Sequence, residues 1–337
     1  MDLSRFPRQS IAFLPTPLVE LRRFSAALGG PKILMKRDDQ TGLAGGGNKA
    51  RKLEFLVGDA LAKGCDSLVT GGAAQSNHCR QTAAAAAACG LECHLALAGE
   101  APDRAEGNLL LDMLLGSRIH WTGQRRKGED IPVIAERLRA AGRMPYEIPY
   151  GGSSALGALG FAAAYLELAS QLEESGLAAS RIAFASSSGG TQAGLMVGQR
   201  LAQSGGPELT GICIDKAEDG AADFAHRVLS IANGASVLLG LATETSPAFA
   251  PGEVELRREF VGAGYGVPGE LERRATGLLA RTEGILVDPV YTARALGAVI
   301  ALAESGQIGR DETVVFWHTG GTPALFAERY ASAMLGP

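Results

Sequence analysis

Short apolar runs alternate along the chain with longer stretches in which apolar residues recur every three to four positions. Residues 67–70, 92–97, 144–148, 181–185, 209–214 and 313–317 each read as a strand, bounded by Gly, Ser or Pro. Between them, 49–63, 155–171 and 191–202 read as helices; Leu53, Leu56, Val57, Ala60 and Leu61 line one face of the first. An alanine-rich helix precedes the strand at 92–97. This rhythm predicts an α/β fold with a mostly parallel sheet covered by helices on both faces. No repeat of roughly 20–50 residues is visible, which argues against a solenoid. Turn formers cluster at 149–154 and mark a candidate domain boundary.

Composition narrows the class. With 337 residues, 46% of them hydrophobic and 20% charged, the chain can bury a core and is long enough for two domains. Its 45 glycines are about twice the usual share of ~7%, yet they follow no Gly-X-Y period, so collagen is excluded. A net charge of −4, with Lys and Arg dispersed, argues against a nucleic-acid partner. No apolar run approaches the ~18 residues of a membrane span. The opening Met1-Asp2-Leu3-Ser4-Arg5 lacks the apolar stretch of a secretion signal, so a cytoplasmic location is expected. Five cysteines fit reduced thiols in that compartment. Cys89 and Cys93 are four apart, but no second pair completes a zinc site, and no metal is expected.

The glycines matter by position. Some, such as Gly64, Gly90 and Gly142, read as helix C-caps. Gly45-Gly46-Gly47-Asn48-Lys49 precedes a helix, but Ala50 stands where a nucleotide-binding lysine needs Ser or Thr. No G-x-G-x-x-G follows the first clear strand, and no G-x-S-x-G elbow is present. The stretch from Ser186 through Ser187, Ser188, Gly189, Gly190 and Thr191 joins a strand to a helix. Small residues there let backbone N–H groups close on an anion, so it reads as a phosphate cradle without a lysine. Gly71-Gly72-Ala73-Ala74-Gln75-Ser76-Asn77-His78 reads as a second strand-to-helix turn, with Ser76 and Asn77 capping a helix that can hold a carboxylate.

Taken in order, these segments resemble the fold-type II pyridoxal-phosphate (PLP) enzymes, and within them the D-cysteine desulfhydrase and 1-aminocyclopropane-1-carboxylate (ACC) deaminase branch. The matching segments include Leu14-Pro15-Thr16-Pro17-Leu18, Lys36-Arg37-Asp38-Asp39, Gly46-Gly47-Asn48-Lys49-Ala50-Arg51-Lys52, Gln75-Ser76-Asn77-His78, Gly189-Gly190-Thr191, Asp288-Pro289-Val290-Tyr291-Thr292 and His318-Thr319-Gly320-Gly321. The resemblance implies a tryptophan-synthase-β-like architecture of two open, twisted, mostly parallel sheets covered by helices. It implies a large PLP-binding domain from 1–48 and 155–337, a small α/β domain over 49–154, and a homodimer.

The resemblance also implies roles. Lys49 would form the Schiff base with the cofactor and later serve as the base at Cα. Asn77 would bond the cofactor's ring oxygen; Ser76, Asn77, His78 and Gln75 would hold the substrate. Ser187, Ser188, Gly189, Gly190 and Thr191 would bind the phosphate, with Ser187 standing where the family commonly has glycine. Tyr265 and Tyr291 match the two active-site tyrosines and would move a proton near the leaving group. His318 reads as a packed histidine.

Two positions choose among reactions. The ACC deaminase pattern has Glu and Leu where this chain has Thr292 and Thr319. Hydroxyls in place of a carboxylate beside the ring nitrogen leave a weaker electron sink, suited to β-elimination rather than ring opening. The expected reaction is conversion of D-cysteine to pyruvate, ammonia and hydrogen sulfide. The alternative is L-cysteate sulfo-lyase, with Lys216 as a candidate sulfonate contact, and ACC deamination ranks below both. A non-catalytic amino-acid sensor and a phosphosugar binder are the competing classes; the complete set of proton-transfer groups weighs against the first. Residues 220–251 match the family least and carry no assignment.

Overall fold

The computed structural model describes residues 3–203, 205–216 and 221–335. Ten strands form two sheets: β1 (Leu18–Glu20), β2 (Lys32–Arg37), β3 (Ser67–Ala73), β4 (Glu92–Ala98), β5 (Arg118–Trp121), β6 (Pro145–Glu147), β7 (Arg181–Ser186), β8 (Glu208–Cys213), β9 (Leu256–Arg257) and β10 (Thr313–His318). The larger sheet runs β1-β2-β10-β7-β8-β9 and is parallel except for β1; the smaller runs β5-β4-β3-β6 and is wholly parallel. The helices are α1 (Arg22–Leu28), α2 (Lys49–Ala62), α3 (Asn77–Ala88), α4 (Gly107–Leu114), α5 (Ile131–Ala140), α6 (Ala155–Glu174), α7 (Gly190–Leu201), α8 (Ala221–Leu238), α9 (Glu270–Glu283), α10 (Thr292–Glu304) and α11 (Glu328–Leu335).

The alternation of side chains along a strand explains why the large sheet is covered twice. Leu34, Val315 and Trp317 enter one core with residues of α6, α7 and α8. Their neighbours Ile33, Met35, Val314 and Phe316 enter another with residues of α1, α9 and α10. Each such side chain, fully withdrawn from water, contributes about 1.5–3 kcal/mol. Helix α2 bridges the two halves: Phe55 joins the large-sheet core, while Leu53, Leu56 and Val57 join the small-sheet core with Leu68 and Leu95. Helix α6 is long and apolar enough to cross a membrane, yet Leu159, Phe161 and Leu168 on it are buried in the protein core.

Two local expectations change. The strand expected at 67–70 continues to Ala73, so Gly71 and Gly72 lie inside β3 and not in the turn that follows. A Cβ on Gly71 would sit 2.9 Å from the Ala96 carbonyl, and one on Gly72 2.8 Å from Ser76 Oγ. These glycines let β4 and the α3 cap approach the strand closely. Strand β2 falls outside the expected set because its sequence, Lys-Ile-Leu-Met-Lys-Arg, has a short apolar run flanked by cations. Lys36 is nevertheless buried; its ammonium donates to the Thr16 carbonyl, Gln171 and Glu167.

The functional loops leave the carboxyl ends of β3, β7 and β10, where open parallel sheets bind ligands.

Candidate active site

Lys49 is the first residue of α2, and the preceding loop fixes its place. Gly46 has φ +73°, and a Cβ there would come within 1.9 Å of the Asp39 carbonyl oxygen. Thr41 Oγ1 closes the loop, donating to the Gly47 carbonyl at 2.9 Å and accepting from the Gly47 N–H at 2.8 Å. Asn48 N–H donates to the Thr319 carbonyl at 3.0 Å, binding this loop to the end of β10. The Lys49 ammonium donates to Asn48 Oδ1 at 2.9 Å and lines a cleft. Burial pushes its pKa down to about 8; Asp288 opposes that shift and Arg80 adds to it.

Ser76, Asn77 and His78 line the same cleft at the start of α3. Ser76 caps the helix, its Oγ accepting the Cys79 N–H at 3.2 Å, which leaves its own proton free to donate. Asn77 Oδ1 accepts from Asn108 Nδ2 at 2.9 Å and from Arg80 Nη1 at 3.3 Å, so the donor end of its amide is the one left for a ligand. The hydroxyl of Thr70 donates to the Ile148 carbonyl at 2.9 Å. His78 Nε2, 2.9 Å from that oxygen, therefore carries the proton and donates to Thr70. His78 Nδ1 has no partner, and burial, with Lys49 and Lys52 nearby, holds the ring well below the usual histidine range.

Gln75 departs from the expected substrate contact. Its Oε1 accepts the Asn108 N–H at 2.8 Å and its Nε2 donates to the Glu106 carbonyl at 2.9 Å, so the amide is committed to the start of α4.

Ser187, Ser188, Gly189 and Thr191 border the opposite wall of the cleft. Gly190 opens α7; its N–H donates to Ser153 Oγ, and Ser153 Oγ donates to Ser188 Oγ at 2.7 Å. Thr191 Oγ1 accepts from Asn48 Nδ2 at 3.2 Å. The cradle does have a lysine, contrary to expectation. Lys52, one helical turn beyond Lys49, is 1% exposed and donates only to the Gly151 carbonyl at 3.2 Å and Ser153 Oγ at 3.3 Å. It forms no ion pair among the described residues, and burial drives its pKa well below the usual lysine value. A buried amine without an anion, beside a helix N-terminus and hydroxyls, is a donor set that an arriving phosphate would recharge and satisfy. A Cβ at Gly190 would lie 2.7 Å from Ser153 Oγ and 3.0 Å from Lys52 Nζ, filling that cradle. The described part of the unassigned 220–251 segment begins at Ala221, and Gly220 lies outside the described residues. Helix α8 brings Val228 and Ile231 against Gly189 from behind.

Tyr291 lines the cleft, and its hydroxyl is 2.6 Å from that of Tyr265. Tyr265 faces a neighbouring outer cleft with Gln75, Arg126 and Lys216. Burial raises both phenols well above their usual range, so each is a neutral O–H group at neutral pH. Of the two threonines singled out by sequence, Thr319 lines the cleft. Thr292 instead donates its hydroxyl to Asp288 Oδ1 at 2.6 Å and is 1% exposed. His318 is packed as expected: Gly320 N–H donates to its Nδ1 at 3.1 Å, and Nε2 donates to the Leu286 carbonyl at 2.9 Å.

Sequence reasoning missed Tyr150, Lys52 and Asp288. Tyr150 lines the cleft from the 149–154 turn. Asp288 caps α10, accepting N–H groups of Val290, Tyr291 and Thr292, and so fixes the backbone that carries Tyr291. The Lys49-to-Lys52 spacing, three residues apart on a helix, was the available signal for the second lysine.

Comparison with known proteins places the chain in a family. The description "Pyridoxal-phosphate dependent enzyme" matches residues 10–320. A D-cysteine desulfhydrase of Klebsiella pneumoniae subsp. pneumoniae is 42% identical over 334 residues, covering 97% of each chain. One from Salmonella schwarzengrund is 42% identical over 331 residues, covering 96% of this chain and 97% of its own. A crystal structure of an ACC deaminase homologue superposes with a TM-score of 0.86 at 35% identity, covering 99% of this chain and 97% of that one. A PLP-dependent aspartate racemase shares the fold alone, with a TM-score of 0.61 at 14% identity over 91% of this chain and 90% of that one. The chain is a fold-type II member of the pyridoxal-phosphate dependent enzyme family, in the branch that holds D-cysteine desulfhydrase and ACC deaminase.

Proposed function

We propose that the protein cleaves the Cβ–S bond of D-cysteine, releasing hydrogen sulfide and, after hydrolysis, pyruvate and ammonia. The observation that carries this reading is the arrangement around Lys49. A lysine with its pKa lowered to about 8 faces one cleft with a carboxylate-binding helix start, Ser76 and Asn77, and with Tyr291 of a coupled phenol pair. The identity of the D-cysteine desulfhydrases from Klebsiella and Salmonella, 42% over almost the full length, supports the substrate.

Bound pyridoxal phosphate supplies an electron sink for the pair left when Cα loses its proton. The rest belongs to the chain. Lys49 would hold the cofactor covalently until the substrate's amine displaces it, and its freed, neutral amine would then take the Cα proton. The α3 N-terminus and the Ser76 hydroxyl orient the substrate carboxylate. Lys52 and the Ser187–Thr191 loop would anchor the phosphate. Asn77, its Oδ1 already taken by Arg80 and Asn108, would donate its amide N–H to the ring oxygen. The neutral Thr319 hydroxyl, with no carboxylate beside it among the cleft-lining residues, suits elimination of a good leaving group over ring opening. Tyr291, relayed by Tyr265, donates the proton that lets sulfur depart.

A second reading has one observation behind it. Arg126, Lys216 and Arg329 line the outer cleft on Tyr265's side, with Asp215 paired to Arg126 at 2.6 Å. That excess of cations suits a sulfonate and the L-cysteate reaction. Purified enzyme supplied with D-cysteine, L-cysteate or ACC, and assayed for sulfide, sulfite, pyruvate and 2-oxobutyrate, decides. Sulfide with pyruvate from D-cysteine is expected; sulfite from L-cysteate alone would overturn the first reading.

A homodimer in the cytoplasm completes the proposal. Helix α4 leaves Leu110, Met113 and Leu114 exposed and contacts the turn that carries exposed Phe326, an apolar surface a second copy would cover. All five cysteines are free thiols, which suits a reducing compartment. Sedimentation velocity tests the dimer.

A further inference from the structure

Behind Asn77 lies a cation that none of the roles above uses. Arg80, on α3, is 0% exposed. Its Nη1 donates to Asn108 Oδ1 at 2.7 Å and to Asn77 Oδ1 at 3.3 Å, and its Nη2 to the Gly46 carbonyl at 2.5 Å. One guanidinium therefore touches both the cofactor-facing asparagine and the loop that delivers Lys49. Its Nε has no partner, and it makes no ion pair among the described residues. Two carboxyl groups act on it, Asp112 first and Asp288 second; Asp112 is itself buried with neither oxygen bonded, and burial raises its pKa well above the carboxylate range. Asp112 thus prefers the neutral form, and Arg80 is left with the weaker pull of Asp288 and no ion pair among the described residues.

We propose that Arg80 is a positioning residue for this reaction: with Asn108 it locks the Asn77 amide with its donor end toward the cofactor's ring oxygen. This follows from hydrogen-bond polarity. Arg80 and the Asn108 amide nitrogen are both donors and both meet Asn77 Oδ1, so the opposite orientation of that amide would set donor against donor. The inference rests on Lys49 and Asn77 being the cofactor residues.

The test uses the full chain stripped of cofactor and then reloaded. Two quantities are read for wild type, Arg80→Met, Arg80→Lys and Asn108→Ala: the affinity for pyridoxal phosphate by equilibrium dialysis, and folding by circular dichroism. Arg80→Met is expected to weaken cofactor binding by about 10- to 100-fold. Arg80→Lys keeps a donor for Asn77 Oδ1, so its affinity falls less than that of Arg80→Met. Asn108→Ala also lowers affinity. A folded Arg80→Met chain with wild-type affinity overturns the proposal, as does wild-type affinity in Asn108→Ala should Arg80→Met fail to fold. Lys49→Ala, measured in parallel, tests the site assignment separately: if it still binds the cofactor covalently, the assignment of Lys49 is wrong, whatever the Arg80 variants do.

Discussion

The phenol oxygens of Tyr265 and Tyr291 lie 2.6 Å apart, their rings edge to face, and only Tyr291 borders the central cleft. Tyr265 meets that cleft through the hydroxyl of its partner, so on the proposed mechanism it acts through Tyr291. Because the two act as one donor chain, their effects should not add. Tyr291→Phe is expected to lower kcat by about 10²- to 10⁴-fold, the range of a lost general acid. Tyr265→Phe should cost less, since Tyr291 keeps its hydroxyl. The double variant should match Tyr291→Phe within a few fold. Steady-state sulfide release measures all three, and a double variant showing the product of the two single losses would mean independent roles.

Residues whose roles are set by their own neighbours in sequence were legible; those defined by distant partners were not. Ser76 and Asn77 sit at a helix start that the local pattern announces, and Lys49 follows a glycine loop. Lys52 was passed over because its partners, Gly151 and Ser153, are 99 and 101 residues away. Gln75 misled for the same reason. A polar amide beside a cap looks like a ligand contact until a helix start 33 residues on takes up its Oε1. Strand β2 hid because a strand with a buried lysine is sensible only once Glu167 and Gln171 are seen beside it.

Lys52 gives effects of opposite sign with and without cofactor. In the free chain it is a buried amine without an anion, and giving up its favoured charge on burial is costly. Lys52→Met removes that cost, and the apo chain should melt at a higher temperature than wild type. The same change deletes a charge-assisted contact to the phosphate, worth about 1.5–3 kcal/mol, so pyridoxal phosphate should bind about 10- to 100-fold more weakly. Thermal melts of apo and loaded protein, with a cofactor titration, check both signs. A variant equally weakened in both forms would make Lys52 a structural residue only.

Beneath α2, Arg51 pairs with Asp38 at 2.8 Å and Glu167 at 2.9 Å, and Trp317 donates its indole N–H to Asp38 at 2.8 Å. This network joins α2, α6 and the large sheet. Arg51 and Lys36 hold the Glu167 carboxyl down to about 2 against the opposing effect of burial. A carboxylate whose folded pKa lies below its ordinary 4.5 stabilises the fold above that value and loses the contribution as pH falls toward 2. Glu167→Gln should therefore destabilise the protein at pH 7, by about 3–5 kcal/mol for a broken buried pair, and flatten the acid limb of its stability curve. Urea unfolding across pH 2–7 reads both; an acid limb as steep as wild type would place the titration elsewhere.

Lys49 predicts a slope of the same sign on the alkaline side. Its pKa in the folded chain is about 8, against 10.5 for an ordinary lysine. Between those values the unfolded chain still binds a proton that the folded chain has released, so the lysine's contribution to stability rises with pH across that window. Phenols buried as neutral groups pull the other way as pH approaches their ordinary range, so the comparison must be with a variant and not with a baseline. Lys49→Met removes only the lysine contribution. The apo wild type should therefore gain stability relative to apo Lys49→Met as pH goes from 8 toward 10, and the difference should level off below 8, where both folded and unfolded lysine are charged. Urea midpoints of the two apo proteins at stepped pH measure it. A difference independent of pH would mean that the Lys49 amine is as readily protonated as one in water, and would remove its claim to act as a base near neutrality.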